Sequence, residues 1–433
     1  MKSLSIHLKT VLLGLSVLAL MLCSCSNNDK SEKTGHRAYE DGNSPAHLMN
    51  MKTDSTNVIK ETYLYSCINS GVGSNLEIDS LFLDRYHIPA VTSEDSCSVS
   101  LRPCMIFVFG GGFSHGARDR EKYLAYFNYL ASQGYDVVSI DYRLGLQAPF
   151  EKQSNKIAFA KYAVNRFVSS VDMAVEDLYN ATRYVLNKSA EWGIDPSQIF
   201  ISGSSAGAIT VLQAEYELCA GRCKILPEDF DYRGIIAFSG AILLRKGKLS
   251  WGRRPCPVFF FHGDGDSNVP FGKVSTPWCS LNGSSRIVAS LDDFNKSVDK
   301  RAGKVLKKLS LNSSENSKAS STSADLSANP GTGATAVHNA GCEEIESLIR
   351  EYEKAGLEYA SYTFYSYEGV DHSLAEKPMY ENLPQIMLFL NECRYAPLKA
   401  LPICQTMRMQ DRRRPPEKYK IGVFDYFKSN YGN

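Results

Sequence analysis

The chain has 433 residues, 43% of them hydrophobic, and a formal net charge of +1. That is material for one large domain or two ordinary ones with an ample core. So even a charge balance supplies no field to gather nucleic acid, and no RNA- or DNA-binding module is visible, which excludes a nucleic-acid partner. No CxxC pair is present, which argues against a zinc ribbon.

At the N-terminus, Lys2 and Lys9 precede an apolar run from Val11 to Leu22. Such a run is short for a membrane span and suits the core of a signal peptide. It ends in Leu22-Cys23-Ser24-Cys25, which resembles the lipobox of bacterial lipoproteins. Cys25 follows a small residue and is the better candidate for lipidation, since Cys23 follows bulky Leu22. The expectation is a lipoprotein signal over 1–24, a flexible polar tether over 25–55 and a lipid anchor holding the chain to a bacterial cell envelope. In that oxidising setting the ten cysteines beyond Cys25 are even in number and allow complete pairing, with connectivity open.

The segments "ETYLYSC" and "NLEIDSLFLDRY" alternate apolar and polar residues and read as an antiparallel pair at a sheet edge. Met105–Phe109, Val137–Asp141, Ile199–Ile201, Ile235–Phe238 and Val258–Phe261 are short apolar runs of the kind buried on both faces of a parallel sheet. Val171, Val175, Leu178 and Val185 form one stripe of an amphipathic helix that Gly193 and Pro196 bring to an end. "EYASYTFYSYEG" reads as the last strand and "ENLPQIMLFLNEC" as the last helix. Alternating β and α elements predict a mostly parallel, doubly wound α/β sheet with antiparallel N-terminal edge strands, over 56–398. Two segments fall outside this pattern: a Ser-rich insert over about 310–340, expected to be disordered, and a basic tail over 399–433.

Chemistry enters with Gly203-Ser204-Ser205-Ala206-Gly207, set between a strand and a helix. The GxSxG spacing selects Ser205 and makes Ser204 the variable position of a nucleophile elbow, a turn too tight for flanking Cβ atoms. A serine hydroxyl needs a base. His372, just past the final strand, satisfies the order serine, acid, histidine, whereas His262 leaves no acid at a strand end between itself and the serine. The acid belongs past a strand between the two, where "VFFFHGDGDSNVP" offers both Asp264 and Asp266. The same stretch resembles half of a calcium loop, but Val269 stands where glycine is required. Gly110, Gly111 and Gly112 follow the strand Met105–Phe109 and allow backbone N–H groups close approach to a site, joined by the N–H of Ala206 as an oxyanion hole.

Taken together, Gly110–Gly112, Tyr142-Arg143-Leu144, Ser205 in GSSAG, the HGDGDSNVP stretch and His372 resemble the α/β-hydrolase carboxylesterases over roughly residues 60 to 395. The closest likeness is to HGGG-type esterases, including the bacterial feruloyl- and acetyl-esterase-like group. The resemblance implies Asp266 as the acid with Asp264 the runner-up, and Gly111 and Gly112 with Ala206 as oxyanion donors. It implies an acyl-enzyme mechanism with no metal or cofactor, acting on a small-molecule or carbohydrate-linked ester. One departure is Phe109, which stands where the family's histidine precedes the glycines and is closer to the YGGGF of cholinesterase-type enzymes. Two other readings are open: a prolyl- or dipeptidyl-peptidase-like hydrolase, which resembles GxSxGG where this chain has Ala208, and a non-catalytic binding protein on the same fold.

Overall fold

The computed structural model describes residues 57–69, 78–89, 101–319, 358–395 and 404–409, with only the backbone over 305–319. The signal segment, Cys25 and the tether lie outside these residues. Among the described residues no helix is long and apolar enough to cross a membrane.

Nine strands form one sheet: β1 (Ile59–Asn69), β2 (Ile78–His87), β3 (Arg102–Val108), β4 (Asp136–Ile140), β5 (Ile194–Ser204), β6 (Gly234–Phe238), β8 (Val258–Gly263), β11 (Tyr362–Tyr367) and β12 (Cys404–Met409). Their spatial order is β1-β2-β4-β3-β5-β6-β8-β11-β12. β2 is antiparallel to both β1 and β4, and every other neighbouring pair is parallel. The central strands are parallel because each is buried on both faces: every residue of β4, β6 and β8 is buried. β7 (Ala241–Leu244), β9 (Lys273–Ser275) and β10 (Ser280–Gly283) make a separate antiparallel sheet in the order β7-β10-β9.

From β3 the chain winds outward in both directions, to β4 on one side and through β5, β6 and β8 on the other. The switch of direction opens a crevice beyond the carboxyl ends of β3 and β5, where open α/β sheets place their ligands. This order, with its antiparallel β2, is that of an α/β-hydrolase fold. Helices α1 (Glu121–Ser132), α2 (Lys156–Trp192) and α3 (Ala206–Cys219) cover the sheet. The Asn155 side chain caps α2 by accepting from the amides of Ile157 and Ala158, and Gly193 ends it in the left-handed region at φ 68°. Val171, Val175, Leu178 and Val185 are buried on it as their spacing predicts. Further on come α4 (Ser284–Ala319), a 3-10 turn (His372–Ala375), α5 (Pro378–Glu381) and α6 (Leu383–Tyr395).

Three expectations change. The insert does not begin as disorder at 310, because α4 runs on through the first Ser- and Asn-rich positions to Ala319. These residues are mediocre helix formers, yet extending an existing helix costs far less than starting one. Residues 320–340 lie outside the described part. The tail is not wholly a tail either: Cys404–Met409 adds a ninth strand, parallel to β11, so that β11 is not the last. Finally, the eight described cysteines Cys67, Cys104, Cys219, Cys223, Cys256, Cys279, Cys393 and Cys404 are all free thiols. Burial pushes the Cys104, Cys219, Cys256 and Cys393 thiols up and keeps them un-ionised.

Candidate active site

Ser205 sits between β5 and α3 with φ 52° and ψ −113°, one of three non-glycine residues at positive φ among those described. An L-residue holds such a conformation only when its surroundings enforce it. Here the Ser205 amide donates to the Phe238 carbonyl of β6. The flanking glycines are required for two different contacts: a Cβ on Gly203 would strike the backbone of Gly207, and one on Gly207 would strike the carbonyls of Val108 and Phe109. The second glycine therefore lets α3 start directly against the end of β3.

The same closeness brings the glycine loop to the serine. A Cβ on Gly110 would stand 3.2 Å from the Ser205 Cβ. The Gly110 amide donates to the Tyr123 hydroxyl (3.2 Å), so it is not free for a ligand. Gly111 and Gly112 take φ values of 143° and 60°, and neither amide is an internal donor among the described residues. The Gly111 carbonyl instead accepts from the amides of Ser114 and His115. Ala206 is the first residue of α3, where an amide has no partner within its own helix. Phe109, just before the glycines, is buried with its ring 4.5 Å from that of Tyr142, whose hydroxyl donates to the Phe109 carbonyl. Packing and one buried hydrogen bond support the loop in place of an imidazole.

His372 opens the 3-10 turn beyond β11. Its Nε2 lies 2.8 Å from Ser205 Oγ, and its Nδ1 lies 2.8 Å from Asp266 Oδ2. Because Nδ1 faces a carboxylate, the network assigns the proton to Nδ1 and leaves Nε2 as an acceptor facing Ser205 Oγ. Asp266 is supported on its other oxygen: Oδ1 accepts from the amides of Asn268 (2.9 Å) and Val269 (3.0 Å). Burial alone would push this carboxyl up. Hydrogen bonding and electrostatic attraction from the His262 and His372 rings outweigh it and hold Asp266 well below the usual carboxylate range. The runner-up Asp264 is an exposed turn residue whose Oδ1 accepts from the Gly369 amide (2.6 Å).

Two side chains gain roles that their spacing did not suggest. Ser204, the variable position of the motif, is buried and donates from Oγ to the Ala375 carbonyl (2.8 Å), tying the elbow to the turn that carries His372. That turn is tied again to α1 by Lys122 and Glu376 (2.5 Å) and by the Tyr380 hydroxyl donating to the Lys122 carbonyl. His262, set aside as a base, is buried directly behind Asp266, with Nε2 3.4 Å from Oδ2. A serine followed by a second serine is a hint of the first role, and a histidine closing the strand before the acid is a hint of the second. Among the described residues no group of three or more His, Cys, Asp or Glu is arranged to hold a metal ion.

Residues 41–215 match the model of the Carboxylesterase family. Among curated relatives, Esterase B1 of Culex pipiens is 30% identical over 124 residues, which are 29% of this chain and 20% of that protein. Fumonisin B1 esterase of Sphingopyxis macrogoltabida is 34% identical over 106 residues, 24% of this chain and 18% of that protein. Carboxylesterase NlhH of Mycobacterium tuberculosis is 30% identical over 105 residues, 24% of this chain and 26% of that protein. The chain thus spans about a quarter or less of the length of these relatives. Among solved structures, Thermogutta terrifontis esterase 2 in its apo form is 19% identical, covering 76% of this chain and 93% of that one at a TM-score of 0.37. The Carboxylesterase match takes in Gly110–Gly112, Ser205 and Ala206 and ends before Asp266 and His372.

Proposed function

We propose that the chain is a serine carboxylic-ester hydrolase. The observation that carries this reading is the line of contacts from Ser205 Oγ to His372 Nε2 and from His372 Nδ1 to Asp266 Oδ2, each 2.8 Å. The Carboxylesterase match over residues 41–215 supports the same class. Ser205 Oγ attacks the ester carbonyl carbon while its proton passes to His372 Nε2. The carbonyl oxygen becomes an oxyanion facing the amides of Gly111, Gly112 and Ala206, a type of donor worth about 100- to 1000-fold in rate. His372 returns the proton to the leaving alcohol as the C–O bond breaks, leaving an acyl-Ser205 enzyme. Water repeats the sequence and frees the acid. Asp266 stays anionic throughout and balances the imidazolium that forms between steps.

The substrate is a small-molecule or carbohydrate-linked ester, and the enzyme is held to a bacterial cell envelope by lipid on Cys25. A panel of acetyl, longer acyl and feruloyl esters, run on wild type and Ser205→Ala, tests the activity. Turnover of at least one ester by wild type and none by the variant is expected, and equal turnover by both contradicts the reading. For the anchor, wild type should sediment with membranes and Cys25→Ala should not.

A further inference from the structure

We infer that His262 is a positioning residue for the acid of the triad, a buried second imidazole that holds the same Asp266 oxygen as His372. This deepens the esterase reading and rests on it. Oδ2 of Asp266 stands between two imidazoles, His372 Nδ1 at 2.8 Å and His262 Nε2 at 3.4 Å. Both side chains of the His262–Asp266 pair are fully buried.

The surroundings of His262 define its proton. Nε2 faces two acceptors, the Val269 carbonyl at 3.1 Å and Asp266 Oδ2, so it must carry a hydrogen. The nearer carbonyl takes the principal bond, and the carboxylate at 3.4 Å feels chiefly the positive edge of the N–H dipole. On the other side, Nδ1 lies 2.8 Å from Ser284 Oγ, which is 3.4 Å from the Gly240 carbonyl. The hydroxyl proton goes to the closer partner, Nδ1, which leaves Nε2 as the N–H of the ring.

The consequence is mechanical as well as electrostatic. The turn from Asp266 to Val269 already closes on itself, through Asp266 Oδ1 and the amides of Asn268 and Val269. The bond from His262 to the Val269 carbonyl ties this turn down to the end of β8. The Phe271 ring packs nearly perpendicular to the His262 ring, with centroids 5.6 Å apart. Without that tie the carboxylate can swing, and a small displacement of a catalytic group costs rate far more than it costs binding. Ser284, at the start of α4, is part of the same brace because its hydroxyl selects the tautomer.

The test reads the second-order rate of Ser205 labelling by a fluorophosphonate, together with kcat and KM on an ester the wild type turns over. It uses the full chain at a temperature well below each variant's Tm. Glutamine can put an N–H where His262 Nε2 lies, and leucine fills similar space with no donor. His262→Leu is expected to lower kcat and the labelling rate about 10- to 100-fold with KM within about 3-fold. His262→Gln should recover most of that loss. Ser284→Ala should give a smaller loss of the same kind, and it serves if the leucine variant does not fold. If His262→Leu and Ser284→Ala label as fast as wild type, the inference is overturned. It is overturned equally if the Gln and Leu variants lose rate alike. A wild type that neither labels nor hydrolyses esters overturns the esterase reading itself, and this inference with it.

Discussion

The Ser204 hydroxyl donates to the Ala375 carbonyl across 171 positions of sequence, joining the neighbour of Ser205 to the turn that carries His372. Serine and histidine are thus held to each other by a bond that takes no part in proton transfer. Ser204→Ala leaves a buried carbonyl without a partner, a loss of about 1–3 kcal/mol. It also loosens the His372 turn. We expect a lower Tm and a kcat reduced about 10-fold, with KM within about 2-fold, measured on any ester the wild type accepts. An unchanged kcat would mean that the contacts of the turn with α1 suffice.

Gly207 lies so close to the end of β3 that any Cβ meets the Val108 carbonyl. Gly207→Ala must therefore push α3 away from the glycine loop, widening the distance between Ser205 and the Gly111 and Gly112 amides. A stability loss of about 1–3 kcal/mol is expected, with a fall in kcat/KM of about 100-fold or more because the donors no longer meet the oxyanion. Gly272→Ala is the control on the acid side of the site, since a Cβ there meets nothing within 4 Å. Its Tm and kcat should match wild type. A Gly207→Ala enzyme as active as this control would refute the proposed packing.

Glu392 on α6 has no ion-pair partner among the described residues, and burial pushes its carboxyl up to about 7 from an ordinary 4.5. Between those two values the folded chain holds a proton that the unfolded chain has released. Stability therefore falls as pH rises through this window and is fully reduced above it. Glu392→Gln should raise Tm at pH 8, corresponding to about 1–2 kcal/mol once partial exposure is allowed for, and leave it unchanged at pH 4. Thermal unfolding of both proteins at the two pH values decides it. A gain at pH 4 equal to that at pH 8 would rule out the titration.

Several features are legible in the sequence alone because each is enforced locally. Glycines on both sides of Ser205 are demanded by steric contact within a few residues, and the apolar runs of β3, β5 and β8 need two-sided burial. The order serine, acid, histidine is the known order of the α/β-hydrolase architecture that the chain resembles. The acid itself was legible only by family resemblance, since Asp264 and Asp266 are chemically alike and differ in which one the turn aims at His372. Features that depend on distant partners stayed hidden. Ser204 reads as filler until Ala375 is beside it, and His262 reads as a rejected base until Asp266 folds back over it. The alternation in "CQTMRM", which marks β12 as an edge strand, is masked by the Arg- and Pro-rich residues that follow.

The most direct measurement is the site of covalent modification by a fluorophosphonate, mapped by mass spectrometry on wild type, Ser204→Ala and Ser205→Ala. The adduct should lie on the Ser205 peptide in wild type, persist at a reduced rate in Ser204→Ala and vanish in Ser205→Ala. An adduct that survives in Ser205→Ala, or that sits on Ser204 in the wild-type protein, would contradict the account.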